Sequence, residues 1–241
     1  MLQLKGIGYT VVDGNKRRTI LDNVNLTLAD GERVVITGHN GSGKTTLAKI
    51  IMGLLQPDHG QILWDGQDIT KLDVTARAKQ GMAFAFQQPV RFKGLTVGDL
   101  LKVAHGGNPT RAELCDYLSQ VGLCAAEYLD RELSGELSGG EMKRIEIAMA
   151  LLRNARVTIF DEPEAGIDLW SFDALLGAFD TLRDPERLTI IISHQERVMQ
   201  SADLLVVMDA GQVVQVGTPA AILPKLGQAR PCKKLQRGDQ A

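Results

Sequence analysis

The chain contains one loop whose residue types suit the binding of a triphosphate. Residues 38–45 read Gly-His-Asn-Gly-Ser-Gly-Lys-Thr and fit the pattern Gly-x-x-x-x-Gly-Lys-Ser/Thr. Glycines let the backbone curl so that several N–H groups face phosphate oxygens. In this pattern Lys44 reaches the β- and γ-phosphates and the Thr45 hydroxyl holds Mg²⁺. The predicted nucleotide contacts are Gly38, His39, Asn40, Gly41, Ser42, Gly43, Lys44, Thr45 and Thr46.

The context of this loop supports the phosphate interpretation over an ordinary glycine-rich turn. An apolar strand is expected before it, at Arg33–Thr37, and a helix after it, at Lys44–Leu55. A helix that begins near Lys44 directs the positive end of its dipole at the same anion.

Two acidic residues follow a second apolar stretch. Val157–Phe160 predicts a buried strand, and Asp161 and Glu162 come directly after it. If that strand ends beside the phosphate loop, Asp161 can bind Mg²⁺ through water. Glu162 can then act on the attacking water as a general base or polarising group. Acids after buried strands are also common turn residues, so the presence of the loop is what favours the catalytic interpretation.

The elements that must position these residues predict an α/β fold. The first thirty residues read as strands, and a mostly helical pattern runs from about 96 to 152 before strands return. Strands that alternate with helices imply a mainly parallel sheet. Further strands are expected at Ile62–Trp64, Met82–Phe86, Thr189–Ser193, Leu204–Met208 and Gln212–Val216.

Residues Leu137-Ser138-Gly139-Gly140-Glu141 open one of the expected helices. Ser138 and Glu141 have the spacing of a capping box, and an apolar helical stripe follows. Two consecutive glycines in a first turn cost about 1 kcal/mol each relative to alanine. The absence of side chains at these glycines would let an anion approach the N-terminus of the helix. The stripe consists of Met142, Ile145, Met149 and Leu152.

This five-residue string behind a phosphate loop resembles the signature of ATP-binding-cassette (ABC) ATPases, usually Leu-Ser-Gly-Gly-Gln. The resemblance covers nearly the whole chain and implies a P-loop core with a mainly parallel sheet, an N-terminal antiparallel β subdomain and a helical insert. Gln87 matches the Q-loop, which senses Mg²⁺ and water, and His194 matches the switch histidine. Gly166-Ile167-Asp168 resembles the D-loop, and Tyr9 sits where the family often stacks an aromatic ring on adenine.

The resemblance also implies a mechanism. Ser138, Gly139 and Gly140 of one subunit would bind the γ-phosphate held by the phosphate loop of another, so a homodimer or a heterodimeric pair of cassettes closes around two ATP and their Mg²⁺. Hydrolysis would release that dimer. The expected catalytic residues are Glu162, His194, Gln87 and Lys44, and the expected metal-binding residues are Thr45, Gln87 and Asp161.

We expect residues 1–241 to form one ABC ATPase domain. Its nucleotide-binding core would comprise 1–88 and 155–222, and its helical subdomain 89–154. Residues 223–241 would form a C-terminal tail, which carries several Lys and Arg residues and is expected to be a solvated end.

Composition narrows the function classes. The formal net charge of −2 provides no field to recruit nucleic acid, and no nucleic-acid partner is expected. No apolar run of about 18 residues and no signal-peptide pattern occur. The three cysteines form no Cys-x-x-Cys pair, as expected of a reduced cytoplasmic protein. If the protein serves a membrane, it does so through a partner at the inner face.

Of three candidate roles, the sequence favours the first, the ATPase of a SUF-type iron–sulfur cluster assembly system. The string Leu137–Ile147 resembles that of the SUF-system ATPase, which drives a soluble iron–sulfur cluster scaffold. In transporter motors Glu141 is more often Gln, and Glu146 is usually a small residue. Lys143 and Glu146 could instead be solvent-facing charges of the helix.

The second candidate is the ATPase subunit of a membrane transporter, which would contact its permease near Phe92–Leu101. The stretch from Ala202 to Pro219 reads like many importer motors. The third candidate, a DNA-repair or ribosome-associated cassette protein, is disfavoured because the chain has neither a long coiled-coil insert nor a second cassette.

Overall fold

A computed structural model describes residues 1–14, 16–88, 92–133 and 137–226 of the chain. The described residues form two sheets and a set of helices. The expected C-terminal tail lies outside them after residue 226. The strands are β1 Leu2–Asp13, β2 Lys16–Leu28, β3 Arg33–Thr37, β4 His59–Trp64, β5 Gln67–Asp68, β6 Met82–Ala85, β7 Val157–Asp161, β8 Leu188–Ile192, β9 Leu204–Asp209 and β10 Gln212–Gly217.

The helices lie between and after these strands. None of them in the described ranges is long and apolar enough to span a membrane. They are α1 Lys44–Met52, α2 Val74–Lys79, α3 Val97–His105, α4 Arg111–Gln120, α5 Ala125–Tyr128, α6 Gly139–Leu152, α7 Leu169–Thr181, α8 Glu196–Gln200 and α9 Pro219–Leu226.

The sheets confirm the expected fold class. One sheet has the strand order β2-β1-β4-β5 with antiparallel pairing. The other has the order β10-β9-β3-β8-β7-β6 and is parallel except for its β10 edge. A parallel sheet needs cover on both faces. Side chains alternate accordingly along β3, where Val34 and Ile36 join one apolar cluster and Val35 joins the other.

Three helices between β6 and β7 are capped at their first turn by side-chain hydrogen bonds. Complete capping boxes start α3 at Thr96, α4 at Thr110 and α6 at Ser138. The α6 box is expected from the spacing of Ser138 and Glu141, and it is confirmed. The expected helix Lys44–Leu55 is shorter, because Gly53 ends α1 in the left-handed conformation.

Arg77 of α2 is a buried charge that ties α2 to the helix behind the phosphate loop. Its guanidinium donates hydrogen bonds to the carbonyl oxygens of Ile50 and Ile51 at 2.7 Å, and of Thr70 and Leu72 at 2.9 and 3.0 Å. The side chain is 0% exposed. Burial lowers its pKa to about 10, so it remains charged at neutral pH. Arg77 therefore satisfies carbonyls in the last turn of α1 that would otherwise lack partners.

Replacing Arg77 with Met should lower the free energy of unfolding by about 3 kcal/mol, because buried carbonyls lose hydrogen bonds from a charged donor. Urea denaturation measures this change. Lys79→Met, at an exposed position of the same helix, should shift the midpoint little. Equal midpoints for the two variants would contradict the role given to Arg77.

Candidate functional site

The site residues lie at the carboxyl ends of neighbouring parallel strands. β3, β8, β7 and β6 are adjacent in this order. The phosphate loop follows β3 and His194 follows β8. Asp161 ends β7, Glu162 comes directly after it, and Gln87 follows β6. Open α/β sheets bind ligands at this edge.

The phosphate loop has a conformation that requires glycine at its start. Gly38 has φ +141°, and a Cβ atom there would lie 2.0 Å from the carbonyl oxygen of Met208. The loop curls over Lys44, whose Nζ donates to the carbonyl oxygens of Gly38 and His39 at 2.8 and 3.0 Å. Lys44 is 5% exposed, and burial lowers its pKa.

The loop fits an anionic group with an associated cation. The buried Ser42 hydroxyl has no hydrogen-bond partner among the described residues. The Thr45 hydroxyl donates to Asp161 Oδ1 at 3.1 Å, which places two of the three predicted metal-binding residues together. Burial raises the pKa of Asp161, an effect that a bound cation reverses. The described ranges hold no group of three or more His, Cys, Asp or Glu side chains able to bind a metal. Mg²⁺ typically uses one or two carboxylates together with phosphate oxygens, and Asp161 provides one such carboxylate beside Thr45.

Glu162 is held in an unusual backbone conformation. Its φ is +47°, which few residues other than glycine adopt, and its N–H donates to the Ile192 carbonyl oxygen at 3.0 Å. Gln87 Nε2 donates to Glu162 Oε2 at 2.7 Å. His194 Nε2 lies 3.6 Å from the other carboxylate oxygen. Gln87 and His194, which are far apart in sequence, thus flank one carboxylate.

The surroundings of His194 favour the neutral form of its imidazole ring. Burial, followed by the charge of Lys44, lowers its pKa below the ordinary value, and Glu162 opposes the shift. At neutral pH the ring can therefore both donate and accept a hydrogen bond.

Tyr9 lies on a strand pair that contacts the phosphate loop. It is partly buried in β1 and pairs with Leu21 of β2. The Leu21 side chain packs over Gly43, at the start of α1. The structure therefore places Tyr9 on the strand next to β2, whose Leu21 contacts the end of the phosphate loop.

The start of α6 has a constraint that the sequence does not show. A Cβ atom at Gly140 would lie 2.8 Å from the Gly166 carbonyl oxygen, so a contact within the same chain already requires this glycine. At Gly139 no heavy atom of the described residues lies within 4 Å of such an atom. Within one chain, Ser138 caps α6 through the Glu141 N–H. The surface at Gly139, which we call the open face, is therefore accessible to a ligand.

Sequence reasoning missed two buried charges on α6. Lys143 is 1% exposed and Glu146 is 14% exposed, so the interpretation of both as solvent-facing is wrong. A signal was present, because Glu146 lies four residues after Met142 and therefore on the apolar face of the helix.

Comparisons with known proteins agree with this geometry. The family model described as ABC transporter matches residues 21–165. An uncharacterized ABC transporter ATP-binding protein of Methanocaldococcus jannaschii is 38% identical over 230 residues, covering 92% of this chain and 91% of that protein. The sulfate/thiosulfate import ATP-binding protein CysA of Synechocystis is 36% identical over 211 residues, covering 85% of this chain and 58% of that protein.

Solved structures give the same result. The dimeric, post-hydrolysis ATP-binding cassette MJ0796 with ADP and phosphate superposes with a TM-score of 0.81 at 25% identity, covering 91% of this chain and 99% of that one. A bacterial Atm1-family ABC exporter with ATP bound gives a TM-score of 0.82 at 27% identity, covering 94% of this chain and 40% of that one. The chain therefore belongs to the ABC transporter family and is an ABC-type ATPase that uses ATP with Mg²⁺.

Proposed function

We propose that this chain is the ATP-binding subunit of an ABC transporter, in which two cassettes close around two ATP molecules and move a membrane partner. The observation that supports the hydrolytic part is the convergence of Lys44, Asp161, Glu162, Gln87 and His194 at one sheet edge. The names of the relatives reported above support the transport part.

In this proposal the phosphate loop and Lys44 hold the phosphates, and Thr45, Asp161 and Gln87 hold Mg²⁺, which neutralises phosphate charge when bound. Glu162 accepts a proton from the attacking water as its oxygen bonds to the γ-phosphorus and the bond to the β–γ bridging oxygen breaks. Gln87 and His194 orient Glu162 from opposite sides. Gln87 donates a hydrogen bond to one carboxylate oxygen at 2.7 Å, and His194 Nε2 lies 3.6 Å from the other.

Further contacts would come from the nucleotide base and from the second cassette. Tyr9 would stack on adenine. Ser138, Gly139 and Gly140 of the partner cassette would bind the γ-phosphate, for which the open face at Gly139 leaves room.

An apolar groove supplies a place for the membrane partner. It has a volume of about 290 Å³ and lies between β6, α2, α3 and α6. Two apolar side chains beside it are exposed, Phe92 at 40% and Val103 at 72%. Exposed apolar surface of this kind marks interaction sites. We propose that this groove binds a short cytoplasmic segment of a permease subunit.

A SUF-type assembly ATPase is the second candidate. The sequence around Lys143 and Glu146 favours it by resemblance to that group, and both side chains are bonded to the chain after β6. The reported relatives carry transporter names instead, so we rank the transporter first.

Affinity purification of the tagged chain from detergent-solubilised source cells tests the choice. A stoichiometric partner with several apolar spans of about 20 residues is expected, and Val103→Asp should reduce its recovery about tenfold. Val214→Asp, at an exposed apolar position of β10, is the control and should retain the partner. Recovery of a soluble scaffold without apolar spans would replace the transporter proposal with the SUF-type one.

A further inference from the structure

A buried ion pair joins the signature helix to the segment that carries Gln87. Lys143 Nζ lies 3.2 Å from Glu146 Oε2, one turn apart on α6. Glu146 Oε1 accepts a hydrogen bond from the Phe86 N–H at 2.6 Å. Lys143 Nζ donates to the Phe86 carbonyl oxygen and lies 3.4 Å from that of Gln87. The pair therefore binds both main-chain groups of the residue that precedes Gln87.

These bonds are directed at a part of the chain that has left the sheet. β6 ends at Ala85, so Phe86 no longer has a neighbouring strand to fix its main-chain groups. An unpaired main-chain group away from water is costly. The Lys143–Glu146 pair supplies the missing partners and fixes where the chain departs toward Gln87.

The position of Phe86 determines the contact to the catalytic carboxylate. Gln87 is the next residue, and its side chain donates to Glu162 Oε2 at 2.7 Å. A displacement of Phe86 is transmitted to the Gln87 side chain through one peptide unit. Since misplacement of a reacting group by about 1 Å can cost up to 10²-fold in rate, a looser Phe86 would affect hydrolysis.

We propose that Lys143 and Glu146 are positioning residues for ATP hydrolysis, which hold the Phe86 main chain and thereby set the Gln87–Glu162 hydrogen bond. This inference rests on the proposed roles of Glu162 and Gln87. The pair also lies beside the apolar groove, which Phe86 and Glu146 both line, so a partner seated there would touch the same contacts.

A test must separate this positioning from the stability of a buried ion pair. Removal of one partner leaves the other charge buried and unpaired, which is strongly destabilising. Lys143→Met and Glu146→Ala alone should therefore lower the melting temperature. Two double variants avoid that problem, because both are uncharged at these positions. One combines Lys143→Met with Glu146→Gln, which keeps an acceptor for the Phe86 N–H, and the other combines Lys143→Met with Glu146→Ala, which does not.

Steady-state kinetics of the purified chain with Mg-ATP gives the readout. We expect kcat to fall about tenfold in the Glu146→Ala double variant but less than about threefold in the Glu146→Gln double variant. KM for ATP should stay within about twofold of wild type in both, since the pair does not belong to the phosphate loop. Lys102→Met and Glu127→Ala, at exposed positions of α3 and α5, are the controls.

Wild-type kcat values in both double variants would overturn the inference, as would a loss of activity that appears only in KM. Glu162→Gln is measured in parallel to separate the two proposals. If Glu162→Gln abolishes hydrolysis while both double variants keep the kcat of wild type, the proposed catalytic role stands and the positioning role fails. A wild-type chain without ATPase activity would overturn both.

Discussion

Replacement of Glu162 with Gln is expected to lower kcat for ATP hydrolysis by about 10²–10⁴-fold, the usual contribution of a general base. The amide cannot accept the proton of the attacking water, yet its carbonyl oxygen can still accept the hydrogen bond that Gln87 donates at 2.7 Å. Since Lys44 and the phosphate loop are unchanged, the affinity for ATP should remain near that of wild type. Phosphate release and nucleotide titration measure the two quantities separately.

The same variant should reveal the dimer. If each ATP joins two cassettes, a variant that binds ATP without hydrolysing it should accumulate as an ATP-dependent dimer on a sizing column. ADP should leave it monomeric. Glu186→Gln, at an exposed position before β8, should behave like wild type in both assays.

If Glu162→Gln hydrolysed ATP at the wild-type rate, the Glu162 carboxylate could not be the general base. His194 would then be the remaining candidate beside the γ-phosphate, because it lies on the other side of the same carboxylate.

The sheet and the phosphate loop could be predicted because local rules determine them. The apolar runs of β3, β7 and β8 are buried on both faces, so their composition alone indicates strands. The loop pattern has one structural solution, and a φ of +141° at Gly38 shows why a larger residue could not replace the glycine there.

The buried charges could not be predicted in the same way. Arg77 lies on a short helix and Lys143 and Glu146 on a longer one, and all three bond to main-chain groups distant in sequence. A main-chain carbonyl or N–H has no residue type, so no sequence motif marks it. At Gly140 the structure adds a reason for glycine that no motif shows, because a Cβ atom there would lie 2.8 Å from the Gly166 carbonyl oxygen.

The choice of partner is harder to predict for a different reason. Motifs record the chemistry of hydrolysis, which every ABC ATPase shares. The partner is selected by surfaces such as the groove beside Val103, whose composition is apolar but otherwise unspecific.

Replacement of Lys44 with Ala is expected to weaken ATP binding itself by about 10–100-fold, because a hydrogen bond to a charged group contributes about 1.5–3 kcal/mol. Lys44 is 5% exposed, and its ammonium donates to carbonyl oxygens of the loop. Fluorescence titration with a nucleotide analogue, or the shift in melting temperature on adding ATP, measures the change. Lys79→Ala, at an exposed position of α2, should bind ATP as wild type does.

Lys44 also bonds to the loop that it serves, so the variant must be shown to keep its fold. Nζ donates to the carbonyl oxygens of Gly38 and His39, and its removal frees both groups. Lys44→Arg separates the two effects, since it keeps the positive charge but enlarges the side chain in a buried place. If charge dominates, Lys44→Arg should bind ATP better than Lys44→Ala. If the fit of the loop dominates, both should bind weakly while circular dichroism remains that of wild type. Unchanged ATP affinity in Lys44→Ala would refute the phosphate-loop assignment, because no other buried cation of the described residues lies in that loop.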